Sequence, residues 1–198
     1  MDATRRLIAN NRSYTPGEDP EHECQRKVRM INFTAIDFET ANYQRDSACS
    51  LAMIKVIDGA IVDRWFALIH PPPGDFVFTY LHGISEADVA SAKTFAEHWP
   101  DIRAFCRDTP ILAAHNAAFD REVLQSCCRF YRIKPPPYRF VCTVQAARWA
   151  WPGLPRHTLD AVCRKLNLPL NHHDAQSDAQ ACARILLRTI QDGYPISH

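Results

Sequence analysis

The sequence predicts an α/β domain, a mixed β-sheet with helices packed against it. Three observations carry that prediction. Strand-like runs lie close together at Phe33–Glu39, Ser50–Ile57 and Ala60–Ile69. Asp58-Gly59 separates the last two and is a strong hairpin signal. From Ile111 onward, short apolar strands alternate with stretches of helical period. Antiparallel strands followed by strand–helix alternation give a mixed sheet covered by helices.

The elements follow in order. Residues 1–29 are polar, carry Pro16, Gly17 and Pro20, and show no sustained periodicity. They read as a loosely ordered N-terminal extension, with one domain over residues 30–198. Met30 stands just before the first strand, where a shorter product could start. After the hairpin, the triple proline Pro71–Pro73 forces an extended loop. A short helical turn is expected near Ser85–Ala90. Thr94 can cap a helix through Phe95, Trp99, Ile102 and Phe105, which Pro100 should kink or split. Ile111–His115 is a fourth strand. Asn116 stands in N-cap position before a helix through Phe119, Val123 and Leu124 to about Tyr131. Pro135–Pro137 leads to a short strand around Phe140–Cys142, and helices are expected at Thr143–Trp151, Thr158–Leu166 and Ala175–Ile190.

Length and composition bound the protein. A chain of 198 residues, 46% hydrophobic and 23% charged, fits one soluble globular domain with or without a tail. Lys and Arg number 23 against 22 for Asp and Glu, so nucleic-acid binding would have to rest on charges placed around one cleft. The start has no apolar run suited to a signal peptide, and no window of about 18 uncharged apolar residues could span a membrane. Eight cysteines, none in a C-x-x-C pair, lie mostly in apolar segments. Buried free thiols in a reducing cytoplasm are expected rather than a disulfide framework.

"FTAIDFET", Phe33–Thr40, places two carboxylates in a strand that otherwise reads as buried. Side chains alternate along a strand, so Phe33, Ala35, Asp37 and Glu39 share one face. Two like charges there repel, and burying them unpaired costs several kcal/mol. Something positive should sit between them. Asp120 lies in the first turns of the helix after "LAAHN", where an acid can simply favour a helix N-terminus. Asp178 lies one turn into the last helix, where it could be solvated. His173 precedes it by five residues, with His172 as rival, and Asp174 is most simply the cap of that helix. Taken together, the acids can converge at one sheet edge, a cluster stable only with cations. Oxygen donors favour Mg²⁺ or Mn²⁺ over Zn²⁺. Two such ions about 3.5–4 Å apart suit in-line displacement at phosphorus, and a histidine can take the proton of the attacking water. A single structural ion on His172, His173 and Asp174 would leave Asp37 and Glu39 unexplained.

"IDFET", "HNAAFD" and "HHDAQSDA" resemble, in order, the three motifs of the DEDDh (DnaQ-like) 3′→5′ exonucleases. The likeness runs from about Phe33 to Ile190 and is greatest to the epsilon proofreading subunit of bacterial DNA polymerase III. It implies a ribonuclease-H-like fold, with a five-stranded mixed sheet whose first three strands are antiparallel. Asp37 and Asp178 would bind two Mg²⁺ or Mn²⁺ ions, with Glu39 and Asp120 assisting and His173 as general base. "LHGIS" resembles the family's HGI segment, making His82, Gly83 and Ile84 candidate substrate contacts. Asn116 joins them, and backbone around Phe38–Thr40 would hold the 3′-terminal nucleotide. The implied reaction releases nucleoside monophosphates from a single-stranded or frayed 3′ end, with DNA favoured over RNA. A DNA polymerase is a candidate partner. An RNA-trimming exoribonuclease and an inactive nucleic-acid-binding module are the rival readings. Tyr43, Gln44 and Arg45 are further candidates for base or phosphate contact, against a polar surface loop. Trp65, Trp99, Trp149 and Trp151 read as packing residues rather than a stacking platform.

Overall fold

The computed structural model describes residues 31–196, so the readings for residues 1–29 and Met30 lie outside the described residues. The sheet comprises β1 (Phe33–Thr40), β2 (Ala48–Ile57), β3 (Ala60–Leu68), β4 (Ile111–Ala114) and β5 (Arg139–Cys142). The order across the sheet is β3-β2-β1-β4-β5. β1–β2 and β2–β3 are antiparallel, while β4 joins β1 and β5 joins β4 in parallel. The β2–β3 hairpin turns on Asp58 and Gly59, with φ of 49° and 76°, the left-handed pair that suits a twisted hairpin.

The helices are α1 (Thr79–His82), α2 (Glu86–Val89), α3 (Phe95–Phe105), α4 (Ala117–Phe130), α5 (Thr143–Ala150), α6 (Leu159–Leu166) and α7 (Ala175–Gln191). Strand alternation divides the core into two layers. Phe33 and Ala35 of β1, with Ile54 and Val56 of β2, pack on α7 through Ala179, Cys182 and Leu186. Ile36 and Phe38, with Leu51 and Met53, face Phe95, Trp99 and Ile102 of α3 and Val123 of α4. Asp37 and Glu39 therefore continue the α7-facing row to where the strand leaves the core.

Pro100 does not split α3, and Asn116 stands at the N-cap of α4 as expected. The N-terminus of α3 is secured by a capping box, in which Thr94 N–H donates to Glu97 Oε2 at 2.8 Å and Glu97 N–H to Thr94 Oγ1 at 3.4 Å. Its apolar face is buried by Phe95, Trp99, Ile102 and Phe105. Asn116 precedes α4 in a left-handed conformation, φ 70°, and its side chain makes no capping hydrogen bond. Asparagine is among the few residues that tolerate that backbone. Of the tryptophans, Trp99 is buried and Trp65 and Trp151 are partly buried, while Trp149 stays half exposed, edge-on to Tyr194. Among the described residues all seven cysteines are free thiols, and only Cys142 is not fully buried. No described helix is long and apolar enough to cross a membrane.

Candidate active site

Parallel pairing puts the carboxyl ends of β1 and β4 at the same end of the sheet, so α4 starts beside the end of β1. The acids meet at this central position rather than at a lateral sheet edge. Asp37 and Glu39 arrive on β1, Asp120 on the first turn of α4 and Asp178 on the first turn of α7. Asp120 is 2% exposed, and its Oδ1 accepts the Phe38 N–H at 3.1 Å, tying α4 to the strand between the two β1 acids. Asp178 is 5% exposed. Its Oδ2 accepts from His172 Nδ1 at 2.8 Å and from the His173 N–H at 3.2 Å, while its Oδ1 is buried without a partner. The solvated-surface reading of Asp178 is thereby excluded, and Asp120, though in the first turn of α4, is buried against β1.

Burial and mutual repulsion shift these groups together. Burial, then Asp120, Glu39 and Asp178, hold the Asp37 carboxyl well above its ordinary value. Burial, then Asp178 and Asp120, push Glu39 to about 8. Burial pushes Asp120 to about 7 despite the opposing Phe38 hydrogen bond. Asp178 is raised by burial and partly relieved by His172 and the His173 N–H. Negative charge is concentrated here beyond what the protein's own cations neutralise.

His172 and His173 stack with ring centroids 4.0 Å apart. A left-handed backbone at His173, φ 68°, turns the pair toward Asp178, and a ring nitrogen of each lies with an Asp178 oxygen in a group spanning no more than 4.8 Å. His172, the rival, makes the direct hydrogen bond to Asp178. Asp174 stays out of this group and caps α7 by accepting the Ser177 N–H at 3.0 Å.

An open cleft of about 690 Å³ is lined by Asp37, Phe38, Glu39, Asn116, His172, His173 and Asp178. A smaller one of about 320 Å³ adjoins it and shares Glu39, His172 and His173; it is also lined by His82 and Ile84. His82 Nε2 donates to the Thr40 carbonyl at 3.2 Å, and its Nδ1 accepts the Ile84 N–H at 3.1 Å. Thr40 is itself buried and lines neither cleft, so it reaches the site through His82. Gly83 ends α1 at φ 77° and lines neither cleft. Tyr43 is exposed and edge-on to Phe78, whereas Arg45 pairs with Glu122 at 3.2 Å and lies over the Phe119 ring.

Sequence reasoning missed several groups in the larger cleft, among them His115, Phe119, Arg148, Arg156 and His157. Phe119 was legible only as an apolar helix residue, although it immediately precedes Asp120. His115 bridges Thr143 Oγ1 at 2.9 Å and the His157 carbonyl at 3.0 Å. Burial lowers it to about 4, keeping the bridging ring neutral.

Whether the site fits divalent cations is answered by its donors. An orphaned buried Asp178 oxygen and neighbouring carboxyls raised by repulsion form an oxygen-rich set suited to hard ions. Fold and site together define a nuclease, an enzyme that hydrolyses phosphodiesters. The RNase_T exonuclease family model matches residues 34–186, and the chain belongs to that family. A DNA polymerase III PolC-type from Halalkalibacterium halodurans is 28% identical over 190 residues, 93% of this chain. The corresponding protein of Oceanobacillus iheyensis is 30% identical over 174 residues, 86% of this chain. The chain spans 12% of the length of each. Among solved structures, exonuclease X in complex with 5′ overhanging duplex DNA aligns at TM-score 0.67 and 27% identity, covering 81% of this chain and 92% of that one. The nuclease domain of 3′hExo, a DEDDh family member bound to rAMP, shares the fold at TM-score 0.71 and 20% identity, covering 83% and 94%.

Proposed function

We propose that this protein removes nucleoside monophosphates one at a time from the 3′ end of a nucleic-acid strand, DNA by preference, with divalent cations. The observation that carries the reading is the convergence of Asp37, Glu39, Asp120 and Asp178, with Asp178 Oδ1 buried and unpartnered. Asp37 and Asp178 would hold two Mg²⁺ or Mn²⁺ ions, Glu39 and Asp120 assisting. Bound there, the ions would activate a water and neutralise the leaving oxygen. His173, beside Asp178 in the open cleft, takes the proton of the attacking water as general base. Asp120 fixes the Phe38 backbone and so the spacing of the two β1 acids. His82 and Ile84 line the adjoining cleft, where the terminal nucleotide would seat, and Asn116 borders the larger one.

The PolC-type relatives and exonuclease X, named with DNA, favour DNA over RNA and make a DNA polymerase a candidate partner. A cytoplasmic site of action accords with the buried free thiols.

The test uses single-stranded DNA and RNA of equal sequence, labelled at the 5′ end, with Mg²⁺ or Mn²⁺ and with EDTA. A metal-dependent ladder shortening from the 3′ end, lost in Asp178→Ala, is expected, with DNA cut faster. A protein that binds the cation yet cuts neither strand would instead be an inactive binding module.

A further inference from the structure

The larger cleft has a second charged wall that the proposed chemistry does not use. Arg148, on the last turn of α5, and Arg156, in the segment between α5 and α6, both line it together with Asp37 and Asp178. Both are exposed, and among the described residues neither forms an ion pair, whereas Arg45, Arg164 and Arg188 each pair with a carboxylate. The backbone that carries them is pinned. Trp151 N–H donates to the Ala147 carbonyl at 2.8 Å, and His157 Nε2 donates to the Trp151 carbonyl at 3.0 Å. His115 Nε2 donates to the His157 carbonyl at 3.0 Å, anchoring the residue after Arg156 to the end of β4. Two exposed guanidiniums, without an ion pair among the described residues, are thus carried on pinned backbone along a cleft whose floor is acidic.

We propose that Arg148 and Arg156 bind backbone phosphates of the strand that lie 5′ to the scissile one. The inference rests on the strand-degrading reading and names its substrate class as a polynucleotide with further phosphates beyond the bond cut. Guanidinium forks match phosphate oxygens and carry no base preference, so such contacts hold register without reading sequence. They also offset the repulsion between a polyanion and the carboxylates, giving a strand-guiding electrostatic path into the site.

The test is binding of a fluorescent single-stranded DNA 12-mer in EDTA, where nothing is cut, followed by anisotropy over a salt series. Arg148→Ala/Arg156→Ala should weaken binding 10–100-fold, and the slope of log K against log salt should shrink by about 1.4, from about 0.7 per phosphate on single strands. The Arg148→Lys/Arg156→Lys protein should recover most of the affinity. A control removes the same charge elsewhere. Arg103 and Arg107 line a separate groove beside Pro110, at the opposite end of β4, and Arg103→Ala/Arg107→Ala should leave affinity within about twofold. With Mg²⁺, the KM increase in the Arg148/Arg156 variant should be at least tenfold larger for the 12-mer than for the p-nitrophenyl ester of thymidine 5′-monophosphate, which has one phosphodiester. Equal weakening by the remote pair, an unchanged salt slope, or equal losses on both substrates would overturn the assignment. If the wild type cuts neither substrate but the EDTA binding pattern holds, the nuclease reading fails while the phosphate contacts stand.

Discussion

Replacing Asp120 by asparagine should make the metal-free protein more stable and the enzyme nearly inactive. The carboxyl is almost fully buried, and burial lifts it from 3.8 to about 7. In the folded chain its neutral form is therefore favoured. Stability from this group is complete below its unfolded pKa and is lost as pH rises through about 7. At pH 8 the accumulated loss is roughly 3 pH units at about 1.4 kcal/mol each, or about 4 kcal/mol as an upper bound. Asparagine is nearly isosteric and keeps an oxygen to accept the Phe38 N–H, so little is lost in exchange. A realistic gain is about 2 kcal/mol, or roughly 4–8 °C in melting temperature for a chain of this size. Calorimetry of both proteins in EDTA at pH 8 and pH 4 measures it. The gain should be largest at pH 8 and mostly gone at pH 4. Added Mg²⁺ should stabilise the wild type more than the variant, whose activity should fall by about two orders of magnitude or more. An Asp120→Asn protein less stable than wild type in EDTA at pH 8 would refute the argument, because the carboxylate would then be a net stabilising group.

Other predictions follow from the same geometry. His173→Ala should lower kcat on 5′-labelled oligonucleotides by about 10²–10⁴-fold with the fold intact, while retained activity would move the proton-accepting role to His172. Burial and neighbouring acids hold Glu39 near 8 against an ordinary 4.5, so the metal-free melting temperature should rise as pH falls from 8 towards 5. Mg²⁺ should flatten that trend, and a melting temperature that falls over this window would contradict it. Phe95→Ala empties a buried site beside Trp99 and Tyr131, and urea unfolding should show a loss of about 3–5 kcal/mol. Thr94→Ala removes one half of the α3 capping box and should cost about 1 kcal/mol by the same assay.

The parts of the fold written in short-range patterns were legible in the sequence. Period-two alternation placed Asp37 and Glu39 on one face of β1, and Asp58-Gly59 marked the hairpin, because both depend only on neighbours. Asp174 and Thr94 were legible as caps for the same reason. What escaped depended on tertiary context. Burial of four apolar side chains keeps α3 whole through Pro100, against the local preference of proline. At the left-handed turn of His173, His172 meets Asp178 through its ring and His173 through its backbone N–H, and nothing in "HHDAQSD" sets that φ. Arg148 and Arg156 come from a helix end and a loop with no common period, so only the folded chain shows them in the same cleft. The parallel pairing of β4 with β1 and of β5 with β4 joins segments far apart in the sequence and has no local signal.

The placement of the acids on β1, α4 and α7 also sets a schedule for synthesis. Asp37 is made early, but Asp178 follows it by 141 residues, which takes roughly 7–28 s at about 5–20 residues per second. Until α7 has left the ribosome and packed on β1, the nascent chain holds three acids without Asp178 or the His172–His173 pair. A chain cut short before Ala175 would lack Asp178 and be synthesised inert, so activity cannot appear before α7 has been made and has packed on β1.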